Sequence, residues 1–256
     1  MLRRTLVLAP RPGAEPMPQP QHLNALACRF FEGAERGAAH HAAKPWSAGP
    51  VRHVLPDLLL VDFAWLPDKD PPDQFMDLAR GVVVKIGCTG RDLFDVVHVS
   101  DDGPVRLLDF ASLPGCNAAR MHTISPIIFT SNGQAVEEFT ADRALRSMIT
   151  RWNLAAESGP FEIPAELRRA LVDAVAMDGM LRPTLVPARF TAAGTPLHKT
   201  AFDGEVDLYL TRADDAMRSV FGAVNRLAAV GGVGSMTTHG WGAVRTSLGD
   251  AALVAA

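Results

Sequence analysis

Cysteine is scarce in this chain: Cys28, Cys88 and Cys116 are an odd number at wide, irregular spacing, with no Cys-x-x-Cys pair among them. That excludes a disulfide framework and a thiolate zinc site, and it fits small buried hydrophobes in a reducing cytoplasm. Lysine is scarcer than arginine: of 25 basic residues only four are lysine (Lys44, Lys69, Lys85 and Lys199). Arginine is the better fork for phosphate and base edges. Long apolar runs are missing too, since stretches such as Leu58–Phe63 are far too short to cross a bilayer. The apolar start, Thr5–Ala9, stops at Pro10 and is shorter than the core of a signal peptide, so it reads as a first strand. There is no Gly-Lys-Ser/Thr phosphate loop ahead of a helix, which removes ATP-binding of the Walker type.

What remains is the composition of an ordinary globular protein, with 48% hydrophobic and 21% charged residues and a formal charge of −3. A negative total argues mildly against a nucleic-acid partner, but its distribution softens the point. Residues 1–60 carry seven bases against four acids, and residues 61–117 carry five bases against ten acids. A local basic face can bind RNA on an acidic protein.

The order of elements is the next signal. Thr5–Pro10 is a strand, and Leu23, Leu26, Ala27, Phe30 and Phe31 recur at the spacing of one buried helix face. A polar, histidine-bearing loop runs from Ala38 to Pro50. Leu58–Leu66 is a strand, Pro71–Arg80 a short helix, and Val82–Ile86 and Leu93–Val99 are strands. The second half repeats the scheme, with a strand at Met121–Phe129 and helices at Asp142–Ala156 and Ala165–Met177. Strands at Thr184–Thr191 and Thr200–Thr211, a helix at Ala213–Val230 and a closing strand at Trp241–Ser247 follow. The expected fold class is α+β, with two tandem ferredoxin-like, RRM-like domains at 1–118 and 119–256 and a C-terminal glycine-rich loop.

That loop, Gly231–Val244, is the most specific segment. Glycines at 231, 232, 234, 240 and 242 permit positive φ and close backbone approach. Successive exposed N–H groups there can form a concave nest for phosphate oxygens.

With its neighbours, this segment resembles the C-terminal signature of the Cas-six-type CRISPR endoribonucleases of the RAMP superfamily. Ala201–Val206 is similar to the aromatic-x-Gly strand that precedes the family's last helix. Ile124–Phe129 resembles its central Ser/Thr-Pro strand, Leu145–Asn153 the helix that follows, and His41–Ser47 the loop carrying its catalytic histidine. The resemblance implies cleavage of a CRISPR repeat RNA stem-loop in the precursor transcript, by attack of a ribose 2′-hydroxyl on the adjacent phosphate. A 2′,3′-cyclic phosphate and a 5′-hydroxyl result, with no cofactor or metal and no membrane. It further implies a cytoplasmic protein that stays on the 3′ hairpin beside other Cas effector subunits.

On the resemblance, His41, with His40 as rival, is the proton acceptor, and neutral histidine suits that role because its pKa lies near operating pH. Lys44 stabilises the developing charge. Cys28 stands where some relatives have a tyrosine. A histidine-independent version, as in type IV relatives, would rest on Arg29, Arg36 and Arg245. RNA contacts are expected from Gly232, Gly234, Ser235, Thr237, His239, Gly240, Gly242 and Arg245, with Arg143, Arg146 and Arg151 lining an RNA groove, Arg168 and Arg169 entering the major groove of the hairpin near its open end, and Trp46 and Trp241 as stacking platforms. The alternative function is a non-catalytic RNA-binding subunit of an effector complex.

Overall fold

The computed structural model describes residues 1–14, 18–32, 44–87, 91–131, 133–157, 159–191 and 195–249. Its first part opens with β1 (Leu2–Pro10), whose alternating burial places Leu2, Leu6 and Leu8 on one face. Helix α1 (Pro20–Phe31) begins on a proline, where the missing N–H has no intrahelical role, and buries Leu23, Leu26, Ala27, Phe30 and Phe31. Strands β2 (Trp46–Ala48), β3 (Arg52–Leu55) and β4 (Leu58–Trp65) follow, then α2 (Asp73–Met76), β5 (Val83–Lys85), β6 (Leu93–Asp101) and α3 (Leu107–Ser112). The sheet runs β2-β4-β1-β6-β5, with β3 also on β4 and every pairing antiparallel. Within it, β6-β1-β4-β2 is the strand order of a ferredoxin-like unit. Helix α1 covers one face, where Phe30 meets Phe63 edge-on at 5.4 Å.

The second part contains β7 (Ala118–Thr123), β8 (Thr130–Ser131), β9 (Gln134–Ala135), α4 (Ala141–Ala156) and α5 (Ala165–Ala174). It continues with β10 (Val175–Asp178), β11 (Arg182–Phe190), β12 (Pro196–Asp203), β13 (Glu205–Leu210), α6 (Asp215–Gly231) and β14 (Val244–Gly249). Its main sheet, β10-β13-β7-β14, repeats the ferredoxin-like order. Asp214 caps α6 by accepting from the Met217 N–H at 2.8 Å. Among the described residues no helix is long and apolar enough to cross a membrane.

The α+β class and paired ferredoxin-like sheets agree with the sequence expectation, while several element bounds are corrected. The stretch expected as one strand, Thr200–Thr211, is broken at Gly204, where φ is +128°, so that β12 pairs with β11 as a separate two-stranded arm and β13 joins the main sheet. The helix expected to Met177 ends at Ala174, because β10 finds a partner in β13. Helix 71–80 shrinks to Asp73–Met76, and the strands expected at 121–129 and 241–247 shift to 118–123 and 244–249. Strands β2 and β3 and helix α3 were not anticipated; β2 lies within the stretch read as loop, and its pairing to β4 is long-range.

The core around α4, α5 and α6 takes in Leu107 and Cys116, and also Met1, Ala64 and Leu66 from the first sheet. The two parts are therefore packed into each other. The β11–β12 arm lays Val186, Ala188 and Ala201 against Ile128 and Met236, over the glycine-rich segment.

Candidate nucleic-acid interface

The chain leaves α6 at Gly231, passes through a 3-10 turn at Thr237–His239, and enters β14 at Val244. Glycines 232, 234, 240 and 242 all have positive φ, and a side chain is excluded at several of them. A Cβ on Gly234 would stand 2.5 Å from the Ile128 carbonyl oxygen, and one on Gly240 would meet the Gly49 carbonyl oxygen at 3.0 Å and Leu23 Cδ1 at 3.2 Å. The glycines therefore let the turn press onto α1, onto the residues after β2, and onto the strand-like segment at 127–128.

Six of its main-chain amides are engaged inside the protein. The N–H of Gly232 donates to Ala228 O, that of Val233 to Gly242 O, that of Ser235 to Ile128 O and that of Gly242 to Pro126 O, at 2.7–2.9 Å. Gly234 N–H donates to Ser147 Oγ at 2.8 Å and Ala243 N–H to Ser125 Oγ at 3.0 Å. At these six positions the expected exposed amides are corrected: a buried N–H must be paired, and folding has paired these with carbonyls and hydroxyls. What the turn offers outward is side chains. Ser235 is exposed, while Thr238 and His239 are half-exposed, with Thr238 Oγ1 and His239 Nδ1 3.0 Å apart.

Arg151, expected in an open groove, is 5% exposed. Its Nη2 donates to Thr237 Oγ1, while Nε and Nη1 have no hydrogen-bond partner among the described residues. Burial pulls its pKa down to about 10. The position is corrected from groove lining to a cation beneath the turn, because Arg151 falls on the same face of α4 as the buried Ala144, Met148 and Ala155. The other arginines of this set are exposed: Arg143 and Arg146 on α4, Arg168 and Arg169 on α5, and Arg245 on β14, opposite His122. Arg146 pairs with Asp142 at 3.5 Å.

At the other end of the candidate set, His40, His41 and Arg36 lie outside the described residues. Arg29 is exposed in the last turn of α1, where a cation complements the helix dipole. Lys44 Nζ meets Glu32 Oε1 at 2.7 Å, so an ion pair joins the two ends of segment 33–43. Since Gly240 packs on Leu23 of α1 and on Gly49–Pro50, the glycine-rich turn sits beside the helix that leads into that segment and the strand that follows it. Trp46 is buried against Phe31, their rings 5.3 Å apart, and offers no stacking face; Trp241 is half-exposed. Cys28 is half-buried on α1.

Three features were missed in the sequence: Glu32 as partner of Lys44, Ser147 as the acceptor that fixes Gly234, and the cluster Arg3–Asp62–Arg52. Strand alternation puts Arg3 and Thr5 on one face, which is the only local hint of the last.

No family model and no curated protein matches the chain. Solved structures do. A Cas6 (TTHA0078) product complex has a TM-score of 0.73 at 21% identity, covering 96% of this chain and 100% of that one. A Cas6 (TTHB231) product complex, of the Thermus thermophilus protein, has a TM-score of 0.75 at 17% identity, covering 96% and 99%.

This is the Cas6 fold.

A substrate mimic complex of Cas6 (TTHA0078) shares it too, with a TM-score of 0.69 at 21% identity. The likeness to Cas6 spans both ferredoxin-like units.

Proposed function

We propose that this chain is a Cas6-type endoribonuclease that binds CRISPR repeat RNA and cuts it once per repeat without a metal. The observation that carries this reading is the packing of the C-terminal glycine-rich turn against α1 and Gly49–Pro50. It sets the glycine-rich motif beside Gly49–Pro50, some 190 residues away in sequence and just after the segment His41–Ser47, on a fold shared end to end with Cas6. Cas6 structures of that fold are product and substrate-mimic complexes. Residues 1–118 would form the domain carrying the catalytic segment, and 119–256 the domain carrying the turn.

In the proposed reaction His41, or His40, accepts the proton of the ribose 2′-hydroxyl. The 2′-oxygen bonds to the adjacent phosphorus, the bond from phosphorus to the 5′-oxygen breaks, and that oxygen leaves as a hydroxyl after protonation. Lys44, leaving Glu32, offsets charge on the phosphorane oxygens. Ser235, Thr238 and His239 touch the strand, and Arg143, Arg146, Arg168 and Arg169 hold the phosphates of the stem.

The test is purified protein with repeat RNA in excess EDTA, which should give a single cut ending in a 2′,3′-cyclic phosphate. A 2′-deoxy substitution at the nucleotide before the cut should abolish it. His41→Ala should slow cleavage about 10²–10⁴-fold. A near-normal rate there would point to His40, and a near-normal rate with both histidines replaced by alanine would move the chemistry to Arg29, Arg36 and Arg245. RNA bound intact, with affinity falling steeply as salt rises, would make the chain a non-catalytic subunit of an effector complex instead.

A further inference from the structure

Between the two ferredoxin-like units lies a slot of about 60 Å³, walled by Arg3, Arg52 and Asp62 on one side and by Gly231, Thr237 and Trp241 on the other. One water needs about 10–15 Å³ of such space, so the slot has room for a small tetrahedral anion.

Its chemistry is one-sided. The carboxylate of Asp62 is the charged acceptor on the wall, and both of its oxygens are engaged. Asp62 accepts from Arg3 Nη2 at 3.0 Å, from Arg52 Nη2 at 2.6 Å and from Thr5 Oγ1 at 2.6 Å. Donors are in surplus, since each guanidinium carries five N–H groups. Arg52 lines the slot and is about half-exposed, and only its Nη2 is taken up by Asp62.

The facing wall repeats the imbalance. The Trp241 indole nitrogen is buried and has no hydrogen-bond partner among the described residues. Thr237 is buried, and its oxygen already accepts from Arg151. Its hydroxyl hydrogen is therefore a donor strengthened by a cation behind it. Arg151 in turn is nine-tenths buried or more and pairs with no carboxylate among the described residues, where its Nε and Nη1 also have no partner. A buried cation in that state is stabilised by negative charge brought close to it.

We propose that the slot is an anion site that takes a phosphate group, held by the Trp241 indole N–H and the Thr237 hydroxyl on one wall and by Arg52 on the other. Arg151 acts through Thr237 and is a positioning residue. The occupant is either free phosphate or a phosphodiester of a bound nucleic acid, two sources of one chemistry. The site would tie the first sheet to the glycine-rich turn through a shared ligand. It stands independently of the RNA-cutting proposal.

The experiment uses full-length protein with ¹⁵N-labelled tryptophan. The chain has four tryptophans, and the Trp241 indole signal is the one lost in Trp241→Phe. Inorganic phosphate is titrated at constant ionic strength, set with chloride, and repeat RNA is titrated separately. A saturable shift of the Trp241 signal with phosphate supports a free-anion site, and Arg52→Gln should weaken that binding about tenfold, the loss of one charge-assisted hydrogen bond. A shift with RNA alone supports the same site occupied by a phosphodiester. If neither titrant moves the signal, or if Arg52→Gln and Thr237→Val both leave the binding unchanged, the proposal is overturned. Cleavage with a silent Trp241 would overturn the slot and keep the RNA reading. A phosphate shift without RNA binding would do the reverse.

Discussion

Arg151 shows how far residue-level reading reaches. Helical spacing placed it on the α4 segment, but side-chain burial decides between a solvated arginine and one under the glycine-rich turn, and that depends on where Thr237 folds back. Local sequence does not contain that contact. The residue leads to a prediction that separates stability from function. Replacing a buried unpaired cation by an apolar side chain of similar length is often stabilising, while losing the Thr237 contact costs about one hydrogen bond. Arg151→Met should therefore raise stability by about 1 kcal/mol at neutral pH while weakening RNA binding, read by urea unfolding and by a filter-binding titration. The pH sign follows from its pKa of about 10, lowered by burial from the ordinary arginine value. The folded value is the lower one, so the unfolded chain holds the proton longer and wild-type stability rises as pH climbs through 10. The gap between Arg151→Met and wild type should narrow there. A variant that is less stable at neutral pH would show that the guanidinium is already compensated.

At the scale of elements, helices with a clean apolar stripe were legible. α1, α4 and α6 lie within two residues of their expected starts or ends, apart from the start of α1, because one buried face writes its period into the sequence. Strands that depend on distant partners were not. Nothing within Trp46–Ala48 announces β2; its pairing with Phe63, Ala64 and Trp65 does. The glycine-rich turn lies between these cases. Its positive φ angles and close approaches were readable, whereas its amide partners were not, since Ser147, Ile128 and Pro126 are remote in sequence. The turn is consequently a rigid clasp whose glycines are required by packing. Gly234→Ala should lower stability by about 3 kcal/mol, combining a positive-φ penalty with a carbonyl clash. Gly103→Ala is the control, since Gly103 also has positive φ, +79°, but nothing lies within 4 Å of its added Cβ, and about 1 kcal/mol is expected. Urea midpoints at constant slope measure both. Equal losses would mean that the turn can swing away from Ile128.

For the whole molecule, two similar sheets suggest two independent folding units, but the cores say otherwise. Leu107 and Cys116, which precede β7, lie inside the core built on α4, α5 and α6, and Met1, Ala64 and Leu66 reach it from the first sheet. α3 packs on α6, and the Arg226 guanidinium holds the Pro114 carbonyl at 2.6 Å. A fragment cut at 119 would expose the apolar surface that these residues cover, and each fully buried side chain of that size contributes about 1.5–3 kcal/mol. That sum is comparable with the whole stability of a small domain. Residues 119–256 expressed alone should therefore keep helical circular dichroism but lose the near-ultraviolet signal of Trp152 and bind a hydrophobic dye. Adding residues 104–118 should restore only part of the packing, because Met1, Ala64 and Leu66 would still be absent. A cooperative unfolding transition in the short fragment would show that the contacts across the slot are dispensable. The proposed catalytic segment and the glycine-rich turn would then be held together by their ligand rather than by the protein's own core.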